Sequence, residues 1–369
     1  MEYDFLVSAV ALSKVFAYKC AEGRKIAEMA GGPDELFRMG EKKLKDIIRD
    51  RRVTGQIQDP DTRRWAEEEI EWCRQYGIEI LYHEDKRYPR RLNECYDAPI
   101  ILYAKGCCDL NPSRALAVVG TRRATYYGKS CCTGIVRGMA GLSKPPVIVS
   151  GLAYGIDAAA HTAALDNGLE TIAVIPSGLD RIYPPQHRDL AARIITQGAL
   201  VTDFPRCSYP QVAHFVRRNR IIAGMSDATL LVESFATGGG LITTSLANAY
   251  DRDVFAVPGR NSDNASEGCN KLIENNLAHL VTGAESISAN MGWKDASSRR
   301  KEARLPLEFT EDGDRARIYG ILKDESPLEF EVLMSRSGLD FPTLTQLLLE
   351  MEIDGRIISI QGHKYGLRP

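Results

Sequence analysis

The chain has 369 residues, 44% of them hydrophobic, enough to fill one large core and one or two small accessory ones. Its formal charge is −2, which excludes a protein coated in basic residues but permits one focused basic groove. No apolar run reaches the roughly 18 to 20 residues that span a bilayer, and MEYDFLVSAVALSKVF carries acids where a secretory signal has bases, so a cytoplasmic protein without membrane contact is expected.

Residues 1–80 read as short amphipathic helices, among them AEGRKIAEMAG, GPDELFRM and TRRWAEEEIEWCRQYG, and predict a small helical domain. GIEILYHEDKRYPRRLNECYDAPIILYAKG (77–106) reads as the link into a second domain spanning 81–287. From residue 115 that domain repeats one theme: a short β-branched run, a turn rich in glycine or serine, then a helix. Seven strands are predicted, ALAVVG (115–120), PVIVSG (146–151), TIAVIP (171–176), ALVTDF (199–204), ATLLVES (228–234), DVFAVPG (253–259) and AHLVT (278–282). Continuous apolar strands alternating with helices mean an α/β fold, an extended Rossmann-like, doubly wound and mostly parallel sheet. Residues 288–310 are polar and aperiodic, as in a linker. Residues 311–369 give three helices and two short strands around Gly362, the order of a winged helix whose presumed recognition helix carries Glu350, Glu352 and Asp354. Those acids repel phosphate and favour an interaction module or a vestigial one.

In a parallel sheet every strand ends on the same edge, so the loops GTRRAT, SGLAYG, SGLDRIYPPQHR, SFATGGGLIT and PGRNSD converge there. Glycine-rich backbone leading into helix N-termini suits phosphate, and Arg122, Arg123, Arg181 and Arg260 are expected along that rim. The stretch HFVRRNRIIAG adds a knot of charge, Arg217, Arg218 and Arg220 around Asn219, just ahead of the fifth strand. Asp157 and His161, four apart, read as a helix cap and packing pair rather than an acid–base couple. Glu233 ends a strand and is placed to orient loop amides or arginines. The aromatics Tyr126, Tyr127, Phe204, Phe215 and Phe235 divide between core packing and base stacking. RATYYGKS ends like a nucleotide-binding phosphate loop, but Arg123 stands where that motif needs glycine. The nine cysteines include the adjacent pairs Cys107-Cys108 and Cys131-Cys132, form no CxxC and are expected as reduced thiols. No catalytic residue, cofactor or metal site is predicted.

The blocks VVGTRRATYYG, VSGLAYGIDAAAH, IAVIPSGLDRIYPPQHRDL, FVRRNRIIAGMSDATLLVES, GGGLITTSLANAYDRDVFAVPG and GCNKLIENNLAHLV resemble, in order and spacing, the core of the bacterial DNA processing protein A family, DprA or Smf. The resemblance covers about residues 85–282, and the flanking regions are similar in placement to that family's sterile-alpha-motif-like and winged-helix domains. It implies a non-enzymatic protein that binds single-stranded DNA during natural transformation and recombination and loads the recombinase RecA. It also implies a homodimer formed through the Rossmann-like domain. Carried over by motif, the strand contacts are Gly120, Thr121 and Arg122, the run Arg217, Arg218, Asn219 and Arg220, and the pair Asn270 and Lys271. Ser150, Gly151, Gly239 and Thr243 join them from their loops, with Phe215 as an aromatic contact. Val216 replaces the family's usual proline, Pro176 and Ser177 replace a glycine and a small residue, and ATGGGLIT carries an extra glycine.

Independently of that likeness, spaced cations and flat aromatic surfaces are what a single strand needs, and arginine suits phosphate and base together. The rival reading is a nucleotide-processing enzyme related to phosphoribohydrolases, which usually carry a PGGxGTxxE turn; here the stretch is TGGGLITTS, with no glutamate at the matching place.

Overall fold

A computed structural model describes residues 3–293, 313–354, 356–360 and 363–367. The chain divides into two compact units, Met1–Asp295 and Ala296–Pro369. The first holds a nine-stranded sheet of order β1-β2-β6-β5-β4-β3-β7-β8-β9. Its strands are β1 (Glu79–Tyr82), β2 (Ile101–Gly106), β3 (Ala115–Val119), β4 (Val147–Ser150), β5 (Thr171–Val174), β6 (Ala199–Thr202), β7 (Ala228–Leu231), β8 (Asp253–Ala256) and β9 (His279–Leu280). Every pairing from β3 to β9 is parallel. The sheet sorts its side chains with a period of two: Ala115, Ala117 and Val119 enter one core, Leu116 and Val118 the other. Helices Val212–Gly224 and Gly239–Ala249 supply Ile221, Ile222 and Ala247 to the first core, while Tyr126–Ala140 and Ile156–Asp166 supply Cys132, Ile135 and Ala160 to the second. A doubly wound Rossmann-like sheet results.

The segment expected as a link adds two antiparallel strands, β1 and β2, and β2 pairs with β6. Ile101 to Ala104 are all buried, so the apolar run IILYA was a strand signal. Gly106 lets the backbone close on β6, since a Cβ there would lie 2.1 Å from the Gly198 carbonyl. Six helices between Tyr3 and Gln75 bury Leu12, Phe16, Leu36, Leu44 and Ile70 in one cluster with Ile78, Tyr82, Ile100, Ile101 and Tyr103. The N-terminal helices therefore share a core with β1 and β2. The polar stretch expected to begin a linker at residue 288 is still folded at first: the Ala284–Asn290 helix continues into it, and Trp293 is buried. The rest of it, residues 294–310, lies outside the described residues.

In the second unit, helices Asp314–Asp324, Phe330–Ser337 and Phe341–Ile353 pack on a three-stranded antiparallel sheet. The expected turn at Gly362 lies outside the described residues. The Phe341–Ile353 helix contains no lysine or arginine and exposes Phe341, Leu349, Glu352 and Ile353. Glu350 is paired with Arg315. Among the described residues no helix is long and apolar enough to cross a membrane.

Candidate functional site

β4 lies on one side of β3 and β7 on the other, so the connections leave β3 in opposite directions and open a crevice at the carboxyl ends of the strands. A cavity of about 450 Å³ occupies that position. Gly120, Thr121 and Arg122 line it from the loop after β3, Ala153 and Asp157 from beyond β4, and Tyr183 from beyond β5. Pro210 to Val212, Phe215, Arg218 and Asn219 come from the segment ahead of β7, and Gly238 to Gly240, Ile242 and Thr243 from the segment after it. Loops far apart in the chain thus meet at one border, as the parallel topology requires.

The first loop is held from beneath. Thr121 donates its N–H to the Glu233 carbonyl (2.7 Å), and Thr125 donates both its N–H (2.9 Å) and its hydroxyl (2.5 Å) to the Glu233 carboxylate. Glu233 is fully buried, and a Cβ on Gly128 would meet its carboxyl group at 2.2 Å. Glu233 thus orients loop amides, and the N-terminus of the Tyr126–Ala140 helix is already occupied by a protein carboxylate rather than open to phosphate. Gly155 has φ +80°, and a Cβ there would lie 2.2 Å from the Thr121 carbonyl. Gly155→Ala is expected to lower stability by about 1–3 kcal/mol. The same change is expected to displace the Thr121–Arg122 loop, read as a lowered urea midpoint and altered amide exchange at residues 120–125.

The arginine knot is helical, and that decides its geometry. Successive residues of the Val212–Gly224 helix are rotated by about 100°, so the cluster points in three directions. Phe215 and Asn219, four apart, face the cavity. Arg217 and Arg220, three apart, converge on the buried Asp203 carboxylate at 2.8 and 2.7 Å. Arg217 also stacks on Tyr18 and Phe204, 4.8 and 5.1 Å from the ring centres. Arg220 further donates to the Asp97 carbonyl. Arg218 is buried and donates to the carbonyls of Gly151 (2.5 Å) and Val174, tying the ends of β4 and β5 together. Burial pulls its guanidinium down to about 10, and burial raises the carboxyl of neighbouring Asp157. Of the run expected as a phosphate clamp, Arg217 and Arg220 pair with Asp203 and lie outside the cavity lining, while Arg218 and Asn219 line it.

The other expected contacts divide in the same way. Ser150 is buried and donates to the Val118 carbonyl at 2.6 Å. Gly151 leaves room for Arg218, whose guanidinium lies 2.2 Å from where a Cβ would stand. Asn270 clasps the backbone of Gly259 through both ends of its amide, at 3.0 and 3.1 Å. Lys271 is exposed and paired with Glu267 at 2.7 Å, away from the cavity lining. Asp157 accepts from the Ala153 N–H at 3.3 Å, and buried His161 meets the Thr171 hydroxyl at 2.7 Å. Burial pulls the His161 imidazole down to about 3. Asp157 shapes the turn after β4, while His161 joins its helix to the first residue of β5.

What faces solvent at the cavity mouth is compact. The Arg122 guanidinium lies 4.6 Å from the Phe215 ring centre, and Phe215 meets Tyr183 edge-on at 5.7 Å. Outside the cavity lining, Arg181 stacks on Tyr209 at 3.9 Å. An arginine held against an aromatic face keeps its hydrogen-bonding edge free for an anion while the rings offer stacking surface. Tyr183 was not among the residues expected from sequence; an aromatic within a convergent strand-end loop was the signal that marks it.

The sequence profile of the DNA recombination-mediator protein A family matches residues 79–292, and that of the DprA winged helix domain matches 302–363. The chain is 42% identical over 205 residues to the DNA processing protein DprA of Streptococcus pneumoniae, covering 56% of this chain and 71% of that protein. It is 33% identical over 326 residues to protein Smf of Escherichia coli, covering 83% and 82%. Its fold matches the X-ray structure of the S. pneumoniae protein with TM-score 0.67 at 34% identity, over 76% of this chain and 95% of that one. A Helicobacter pylori DNA processing protein A structure, described for its single-stranded DNA binding mode, matches with TM-score 0.52 at 27% identity, over 58% of this chain and 95% of that one.

Proposed function

Because the chain belongs to the DNA recombination-mediator protein A family, whose members are named DprA or Smf, we propose that it binds single-stranded DNA in DNA processing. The observation that carries this reading is the solvent-facing Arg122, seated on Phe215 at the mouth of the crevice beside β3. Such a site takes phosphate on the guanidinium and bases on the rings, and needs no bond-making group. On this reading the protein holds incoming DNA during natural transformation and delivers it to the recombinase RecA as a homodimer built on the Rossmann-like unit. No enzymatic step belongs to it.

Fluorescence anisotropy with labelled oligo(dT) of increasing length, titrated at several salt concentrations, tests the proposal. Log affinity is expected to fall linearly with log salt, with a slope of about −0.7 for each phosphate engaged, and to rise with strand length. Binding that ignores both length and salt would instead mark the crevice as a mononucleotide or protein site.

A further inference from the structure

Beyond the cavity mouth stands an aromatic side chain that the fold does not use. Tyr126, the first residue of the Tyr126–Ala140 helix, is 89% exposed and has no hydrogen bond or ring contact among the described residues. The buried side of that helix is formed by Gly128, Cys132, Ile135, Val136 and Met139, so Tyr126 contributes nothing to the core. Its backbone is nevertheless fixed, because Thr125 is bound twice to Glu233 and caps the helix by accepting from the Gly128 N–H.

The neighbourhood is cationic. Arg123 precedes it in the same loop, and Lys129 follows three positions later on the same side of the helix. Tyr127 donates its hydroxyl to the Pro258 carbonyl at 2.6 Å, drawing in the loop after β8 that carries exposed Arg260. Among the described residues Arg123, Lys129 and Arg260 have no carboxylate partner, whereas Lys271 beyond them is paired with Glu267. An unpaired ring on a rigid base, amid uncommitted cations and next to the crevice, is the combination that holds an unpaired base and its flanking phosphates.

We propose that Tyr126 is a stacking platform for a single strand leaving the crevice in the direction of β8, a second contact zone that rests on the function proposed above. The strand then runs across the helix start toward Arg260, not along Arg217, which faces Asp203.

The test compares Tyr126→Ala, Tyr126→Phe and Arg122→Ala with the wild-type chain, by anisotropy over an oligo(dT) length series. Tyr126→Ala is expected to weaken long oligonucleotides by on the order of tenfold and to leave the shortest bound ones unchanged, while Tyr126→Phe retains wild-type affinity. Oligonucleotides carrying 5-iododeoxyuridine are expected to photocrosslink to Tyr126. Wild-type affinity of Tyr126→Ala at every length, with Arg122→Ala impaired, overturns the platform and leaves the crevice standing. If Arg122→Ala is also unimpaired, the single-strand reading itself fails.

Discussion

Arg220→Ala is expected to lower the free energy of unfolding by about 1.5–3 kcal/mol, the worth of a hydrogen bond to a buried charge that keeps one of its two partners. Asp203 is buried and takes hydrogen bonds from both Arg217 and Arg220 through one carboxylate oxygen. Removing Arg220 leaves that carboxylate to Arg217 alone and takes the guanidinium away from the Asp97 carbonyl. Urea unfolding at pH 7 measures the loss directly. Below its denaturation midpoint the variant should bind single-stranded DNA with the wild-type salt slope, because the lost guanidinium does not line the crevice. A flattened slope in the folded variant would return Arg220 to the strand-binding surface.

The same triad gives a pH signature. Burial alone would raise the Asp203 carboxyl, but Arg217 and Arg220 override it and hold the group below its ordinary value. A depressed carboxylate contributes stability that is fully present above the unfolded value of about 3.9 and is lost as pH falls through the lower folded value. Unfolding midpoints followed downward from pH 5 should therefore drop less steeply in Asp203→Asn than in the wild-type chain, whose total stability is the higher at pH 7.

Arg122→Ala has the opposite profile. Its side chain is exposed and rests on Phe215, without an ion pair among the described residues, so stability should change by less than about 0.5 kcal/mol. Affinity for oligo(dT) should fall about 10- to 100-fold, the weight of a charge-assisted hydrogen bond. The salt slope should shrink by about 0.7, one phosphate's share. Arg122→Lys should keep the slope while recovering only part of the affinity, since an ammonium lacks the planar fork and stacks poorly on Phe215. Arg217→Ala serves as the comparison: its guanidinium is committed to Asp203 and should leave the slope unchanged. Equal effects of Arg122→Ala and Arg217→Ala would contradict the division of the arginines drawn here.

The sequence was enough to establish the architecture of the larger unit. Its seven parallel strands announce themselves as apolar runs because both faces of the sheet are covered, and turn chemistry punctuates them. Convergence of Gly120, Thr121, Arg122 and Gly239 on one crevice followed from topology alone, since parallel strands must end together. β1 and β2 escaped notice because their antiparallel pairing interrupts the alternation of strand and helix, and the helices that cover them lie earlier in the chain.

Side-chain direction within a charged helical run was a different matter. Arg217, Arg218 and Arg220 are near neighbours in sequence, yet the turn of the helix sends them to Asp203, to the Gly151 and Val174 carbonyls, and to Asp97. None of those partners can be identified locally, because each comes from a distant segment, and a buried arginine is written with the same letter as one that meets a phosphate. Sequence determined that cations would gather at this sheet border; only tertiary packing decided which were left facing water, because a guanidinium in the interior must find protein acceptors while one at the rim is free to take a ligand's.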